Sequence, residues 1–145
     1  MSDIAVQELG RLMVNVCRLH HTRADRAMDQ IGLYRGQAFL LMTLSHQDGM
    51  THSEISEILK ISPAAATKVI KRMEQAHYVQ RRADPDDERV SRVFLREKGR
   101  LLIDQIDHAF GELDRAMFDG LSEDELHQFS ASLTRMLDNV QSYEP

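Results

Sequence analysis

Ser62-Pro63 is the point in this chain that most restricts its architecture. A hydroxyl side chain followed by proline suits a helix start, where the hydroxyl caps a free amide and the ring removes only a donor that has no partner there. The residues after it, Ala66, Val69, Ile70 and Met73, fall on one helical stripe. Before it, Ile55, Ile58 and Leu59 form a shorter stripe that either Thr51 or Ser53 is placed to cap, and Lys60-Ile61 is left as the turn. Two short amphipathic helices joined by so brief a turn predict a helix-turn-helix.

The flanking segments build on that unit. Tyr78 to Ala83 and Val90 to Leu95 have the branched and aromatic content of short strands, and Asp84-Pro85-Asp86-Asp87-Glu88 between them is a polar turn. The pair predicts a hairpin with a charged tip, a wing. On the N-terminal side, Leu9, Leu12, Met13, Val16 and Leu19 predict one long helix over residues 3 to 30. Gly32 interrupts it, Leu33 to Ser45 reads as a second helix, and Gln47-Asp48-Gly49 as a turn. Beyond the wing, helical period returns from Glu97 to Phe118 and breaks at Gly120. Ser122 and Glu125 match a capping box opening a last helix, expected to bury Leu126, Phe129, Leu133, Met136, Leu137 and Val140. These stripes hold more apolar surface than a small winged helix can cover, which calls for a second copy of the chain.

Charge narrows the function. The chain is acidic overall, at −5. From Lys60 to Arg100, however, eleven basic residues stand against six acidic ones, so that stretch is +5 and the remainder −10. A basic centre between acidic arms is the footprint of a DNA-reading module. On the helix from 62 to 76, the face opposite the apolar stripe carries Ala64, Thr67, Lys68, Lys71 and Gln75. Small residues at its start would let the helix end enter a major groove. Thr67 is then placed to donate to a base or phosphate, Lys68 to reach a guanine edge or phosphate, and Lys71 and Arg72 to meet backbone. Ser62 would both cap and touch phosphate. In the wing, Arg89 and Arg92 are long enough to enter a flanking minor groove, with Asp87 the carboxylate placed to orient Arg89.

With these elements in order, THSEISEILKISPAAATKVIKRMEQAHYVQRRADPDDERVSRVFLREKG, residues 51 to 99, resembles the MarR family of regulators. Asp87-Glu88-Arg89 matches its wing motif and Leu95 to Gly99 its exit from the wing. The resemblance implies a mainly α (α+β) fold: a winged helix-turn-helix with a two-stranded β-wing, flanked by N- and C-terminal dimerisation helices. Residues 1–145 would be one such domain, with 33–99 the DNA-binding part and 3–30 and 100–143 the dimerisation helices. It further implies a cytoplasmic homodimer on a pseudo-palindromic double-stranded DNA operator, most often as a repressor. Ser62, Ala64, Ala65, Thr67, Lys68 and Arg89 would be the functional positions. Two departures stand out: His77 replaces the usual glycine before the first wing strand, and Arg96 the usual threonine before the fifth helix.

A small aromatic or phenolic effector is expected by the same analogy, in a cleft lined by His20, Arg23, Tyr34 and Phe39. No metal site and no cofactor are expected. His20 and His21 are adjacent and so diverge on a helix, while His108 and Glu112 are four apart and could both face one ion; ordinary surface histidines are the preferred reading. Cys17 excludes an internal disulfide and fits a reducing compartment; alone, it reads first as a small hydrophobe. A redox- or metal-responsive regulator of this fold is the first alternative, a winged-helix protein-interaction module the second. No phosphate loop, paired-cysteine motif or nucleophile elbow supports an enzyme. No apolar run is long enough to span a bilayer, and residues 1–3 begin no secretory signal.

Overall fold

A computed structural model describes residues 3–144. Its elements are α1 (Asp3–Gln30), α2 (Arg35–His46), β1 (Met50–Thr51), α3 (His52–Ile58), α4 (Pro63–Gln75), β2 (Val79–Ala83), β3 (Ser91–Leu95), α5 (Glu97–Met117) and α6 (Glu123–Gln141). The chain divides into two compact units, residues 1–111 and 112–145.

In the first unit, Met28, Leu41, Ile55, Ile70, Val93 and Ile106 are fully buried in one core, contributed by α1, α2, α3, α4, β3 and α5 respectively. Three helices feeding this core end in the same device. Gly32 (φ 75°), Lys60 (φ 53°) and His77 (φ 63°) each take the left-handed conformation just past α1, α3 and α4. The following amide then reaches back five residues: Leu33 N to Met28 O at 3.0 Å, Ile61 N to Ser56 O at 3.1 Å, and Tyr78 N to Met73 O at 2.9 Å. Such caps satisfy carbonyls that a helix end leaves free. The first explains why α2 starts at Arg35 and not at Leu33: Leu33 is spent on closing α1, and its side chain is buried. Among the described residues, only His77 and Lys60 occupy this conformation without being glycine. The turn at His77 therefore survives its departure from the family pattern, aided by Arg96 Nη1, which lies 3.3 Å from His77 Nδ1.

The sheet has three strands in the order β1-β3-β2, all antiparallel. The wing hairpin β2–β3 pairs from Val79 with Leu95 to Ala83 with Ser91. The third strand, Met50–Thr51, was not expected. It pairs Met50 with Val93 and Thr51 with Arg92, and Thr51 at once caps α3 in a reciprocal box with Glu54.

In the second unit, Ser122 caps α6, accepting from Glu125 N while the Glu125 carboxylate takes Ser122 N at 2.8 Å. The apolar stripe of α6 is not buried as expected. No residue of α6 is buried, and Leu126, Phe129, Met136, Leu137 and Val140 are exposed. Leu9, Leu12, Val16 and Leu19 of α1 are exposed too.

Candidate nucleic-acid interface

Ser62 starts α4 as its residue type demands. Its Oγ accepts from Ala65 N at 3.1 Å, with Pro63 at the first helical position. The hydroxyl hydrogen remains available to a phosphate. Ala66, Ile70 and Met73 are buried beneath the helix, which turns Ala64, Thr67, Lys68, Lys71 and Arg72 outward, all exposed, with Ala65 half-buried. Thr67 departs from its expected role as a donor. Its Oγ1 donates to Pro63 O at 2.9 Å, so the hydroxyl offers lone pairs and a methyl to a ligand, and no proton.

The structure disposes of the central positive charge unevenly. Arg81 pairs with Glu74, Arg100 with Asp48 (both closing at 3.0 Å or less), and Lys98 Nζ donates to Ala76 O at 3.0 Å. Arg72 and Arg82 lie over the rings of Tyr34 and Phe94. Among the described residues, Lys60, Lys68 and Lys71 make no ion pair. The cations left without a carboxylate therefore include both lysines on the outward face of α4, where an external polyanion can reach them.

The two wing arginines part company. Arg89 stands at the tip with its side chain 89% exposed. Asp87 holds it as a fork, with Arg89 Nε to Oδ1 at 3.0 Å and Nη2 to Oδ2 at 3.2 Å, and Arg89 lowers the Asp87 carboxyl below its ordinary pKa. Arg92 is not free for a groove. Its Nε donates to Asp84 Oδ2, its Nη1 donates to Gly49 O at 2.9 Å, and Glu54 lies 3.9 Å away. The reason is local: Arg92 sits mid-strand opposite Arg82, beside β1, where its guanidinium meets the carbonyl that precedes Met50. It fastens the wing to the rest of the unit.

Asp84, its partner, is the functional side chain most easily overlooked. Counted above as one acid of the tip, it is the buried charged residue among those described. Besides Arg92, it accepts from Asp86 N at 2.8 Å and Asp87 N at 3.2 Å. Arg92 first, then these amides, hold its carboxyl below the ordinary carboxylate range. An aspartate before proline with two polar residues behind it is a turn-former through its own side chain, so the signal was present in Asp84-Pro85-Asp86-Asp87. Glu74 is the second such residue. Arg81 holds its carboxyl low, and Glu74 in turn spans from α4 to β2.

The four effector-cleft residues are scattered in exposure. Tyr34, Phe39 and Arg23 are exposed and His20 is half-buried. Tyr34 faces Arg72, and Phe39 stacks on Phe110 at 6.0 Å, so each of these rings has a partner outside the expected four. Arg35, beside Tyr34, carries a buried Nη1 without a hydrogen bond in the structure. Cys17 is exposed and not the small buried hydrophobe expected. Among the described residues, no group of three or more histidine, cysteine, aspartate or glutamate side chains is placed to hold a metal ion.

Comparison with known proteins agrees with this geometry. The family model described as "MarR family" matches residues 33–91. The HTH-type transcriptional regulator MhqR of Bacillus subtilis is 30% identical over 138 residues, covering 92% of this chain and 94% of MhqR. This chain belongs to the MarR family. A MarR transcriptional regulator from Methanosarcina mazei has the same fold, with a TM-score of 0.79 at 26% identity over 93% of this chain and 97% of that one. A MepR mutant from S. aureus, solved bound to an oligodeoxyribonucleotide, matches with a TM-score of 0.63 at 25% identity, over 91% of this chain and 97% of its own. The MarR-family chain is thus a winged-helix transcriptional regulator and not an enzyme.

Proposed function

We propose that this regulator binds a pseudo-palindromic double-stranded DNA operator as a homodimer in the cytoplasm, acting as a repressor that a small aromatic or phenolic effector releases. The observation that carries the DNA reading is the outward face of α4, on which Lys68 and Lys71 have no ion pair among the described residues while neighbouring arginines are engaged inside the fold. The DNA-bound MepR structure supports it. In this reading Ser62 meets phosphate, Ala64 and Ala65 allow close approach, Thr67 offers its methyl to a base, and Lys68 reads a base edge. Lys71 and Arg72 hold backbone, and Arg89 enters the minor groove. The described residues include no helix long and apolar enough to cross a membrane.

Substitution of the two lysines tests it. Lys68→Ala is expected to weaken the cognate site by about 1–3 kcal/mol more than random duplex, because a base contact is specific. Lys71→Ala should weaken both alike and lower the salt slope by roughly one unit per half-site. Titrations of both variants at several salt concentrations check this, and equal losses on cognate and random DNA for both would show that the reading end of α4 is misplaced.

Homodimerisation rests on the open stripes of α1 and α6. On each of these two long helices, exposed apolar side chains at helical spacing form a stripe of the kind that marks an interface. Sedimentation at micromolar concentration should give twice the 16.7 kDa chain mass. A monomer would remove the two-half-site geometry from the proposal.

A further inference from the structure

We propose that Glu74 and Arg81 are a positioning pair that sets the angle of the wing against the recognition helix, and so decides whether Arg89 reaches its groove. This rests on α4 and Arg89 being the two DNA contacts proposed above.

The backbone between α4 and β2 is a single hinge. Helix α4 ends at Gln75, His77 takes a left-handed φ of 63°, and β2 begins at Val79. Glu74 lies one side of this hinge and Arg81 the other. Arg81 Nη2 is 2.8 Å and Nε 3.0 Å from Glu74 Oε2, and Arg81 N donates to Oε1 at 3.4 Å. Both carboxylate oxygens are used, one on the side chain and one on the strand's own backbone. The contact therefore fixes where β2 lies and does more than neutralise a charge. With side chains 45% and 33% exposed, a pair of this kind adds little to stability. Its effect is geometric.

Leverage makes that geometry matter. The five residues of β2, at about 3.3 Å each, carry the hinge motion roughly 17 Å toward the tip. A rotation on the order of 10° then moves Arg89 about 3 Å, half of the roughly 6 Å width of a minor groove. Arg92 ties β3 to Gly49 on the opposite edge of the hairpin, so the wing is held at both strands, and beyond the core packing of Ile70 and Met73 on Val79 and Val93 the Glu74–Arg81 tie links the outer part of β2 to α4.

The test uses the full-length protein and a duplex selected by it from a random library, made with A·T-rich or G·C-rich flanks. Wild type should protect central guanines from methylation, protect the flanks from hydroxyl radicals, and prefer A·T-rich flanks by about tenfold. Glu74→Ala should keep the central protection, lose flank protection, and bind both duplexes equally. Glu74→Gln and Arg81→Gln should each lose most of the flank preference, and the double variant no more than either single one. Flank protection unchanged in Glu74→Ala overturns the proposal. So does parallel loss at centre and flank, or additive loss in the double variant. A wild type without flank protection would instead refute the placement of Arg89 on which the pair depends.

Discussion

Gly99→Ala is expected to destabilise the protein by about 3 kcal/mol, the upper end for forcing one methyl group into packed surroundings. Gly99 is buried in the first turns of α5. A Cβ there would lie 2.3 Å from Tyr78 O, 3.1 Å from Tyr78 C and 3.3 Å from Leu41 Cδ2. The oxygen is the difficult neighbour. It belongs to the backbone leading into β2 and already accepts from Arg96 N at 3.0 Å, so it cannot move without loosening the start of α5 or shifting the wing. Helix propensity argues the other way, since alanine exceeds glycine by about 1 kcal/mol in a helix interior. The sign of the result therefore reports the close approach directly. Gly36→Ala in α2 is the control: nothing lies within 4 Å of its added Cβ, and that variant should be neutral or slightly more stable. Urea unfolding at one fixed protein concentration measures both, because stability linked to self-association varies with concentration. Equal stability of Gly99→Ala and the parent would mean that α5 and Tyr78 do not pack this closely.

What the sequence made legible was local or strictly periodic. Ser62-Pro63, the Ser122–Glu125 box and the stripe of α4 each declare themselves within a few residues, and α1 spans Asp3–Gln30 as its spacing predicts. Asp87 and Arg89 are two apart, so their fork was readable too. Long-range partners were not. Two residues cannot show alternation, so Met50–Thr51 becomes a strand only through β3, some forty residues on. Arg92 looked like a second groove-seeking arginine because its acceptors, Asp84 and Gly49 O, lie eight and 43 residues away. The Glu74–Arg81 tie spans seven residues across a hinge whose conformation no periodicity describes. The stripe of α6 was read correctly as apolar, but no residue of α6 is buried among those described, and spacing along one chain does not say what a stripe packs against.

Arg89→Lys is expected to lose about tenfold in affinity for a site with A·T-rich flanks while the protein's melting temperature stays where it was. The charge is conserved, so bulk attraction to DNA predicts no loss. Shape predicts one: a planar, weakly hydrated guanidinium suits a narrow minor groove, and an ammonium does not. The wing is built for this distinction. Asp87 grips Nε and Nη2 of Arg89 and pre-sets the fork at the tip, at the expense of the long-range field that a bare cation would have. Both N–H groups of Nη1 and the second one of Nη2 are left outside that grip. Lysine cannot be held that way, because its single ammonium group has no fixed plane. Arg92→Lys provides the opposite profile. Arg92 joins Asp84 to Gly49 O through two different nitrogens, Nε and Nη1, a bridge that one ammonium cannot span. Its loss should lower the melting temperature and weaken A·T-rich and G·C-rich duplexes alike, by loosening the whole hairpin. Binding titrations with both duplexes, paired with thermal melts of both variants, separate the two. If Arg89→Lys binds each duplex as wild type does, the tip arginine is no minor-groove anchor. If Arg92→Lys melts like wild type, the Asp84–Arg92–Gly49 bridge is not what holds the wing to the body of the protein.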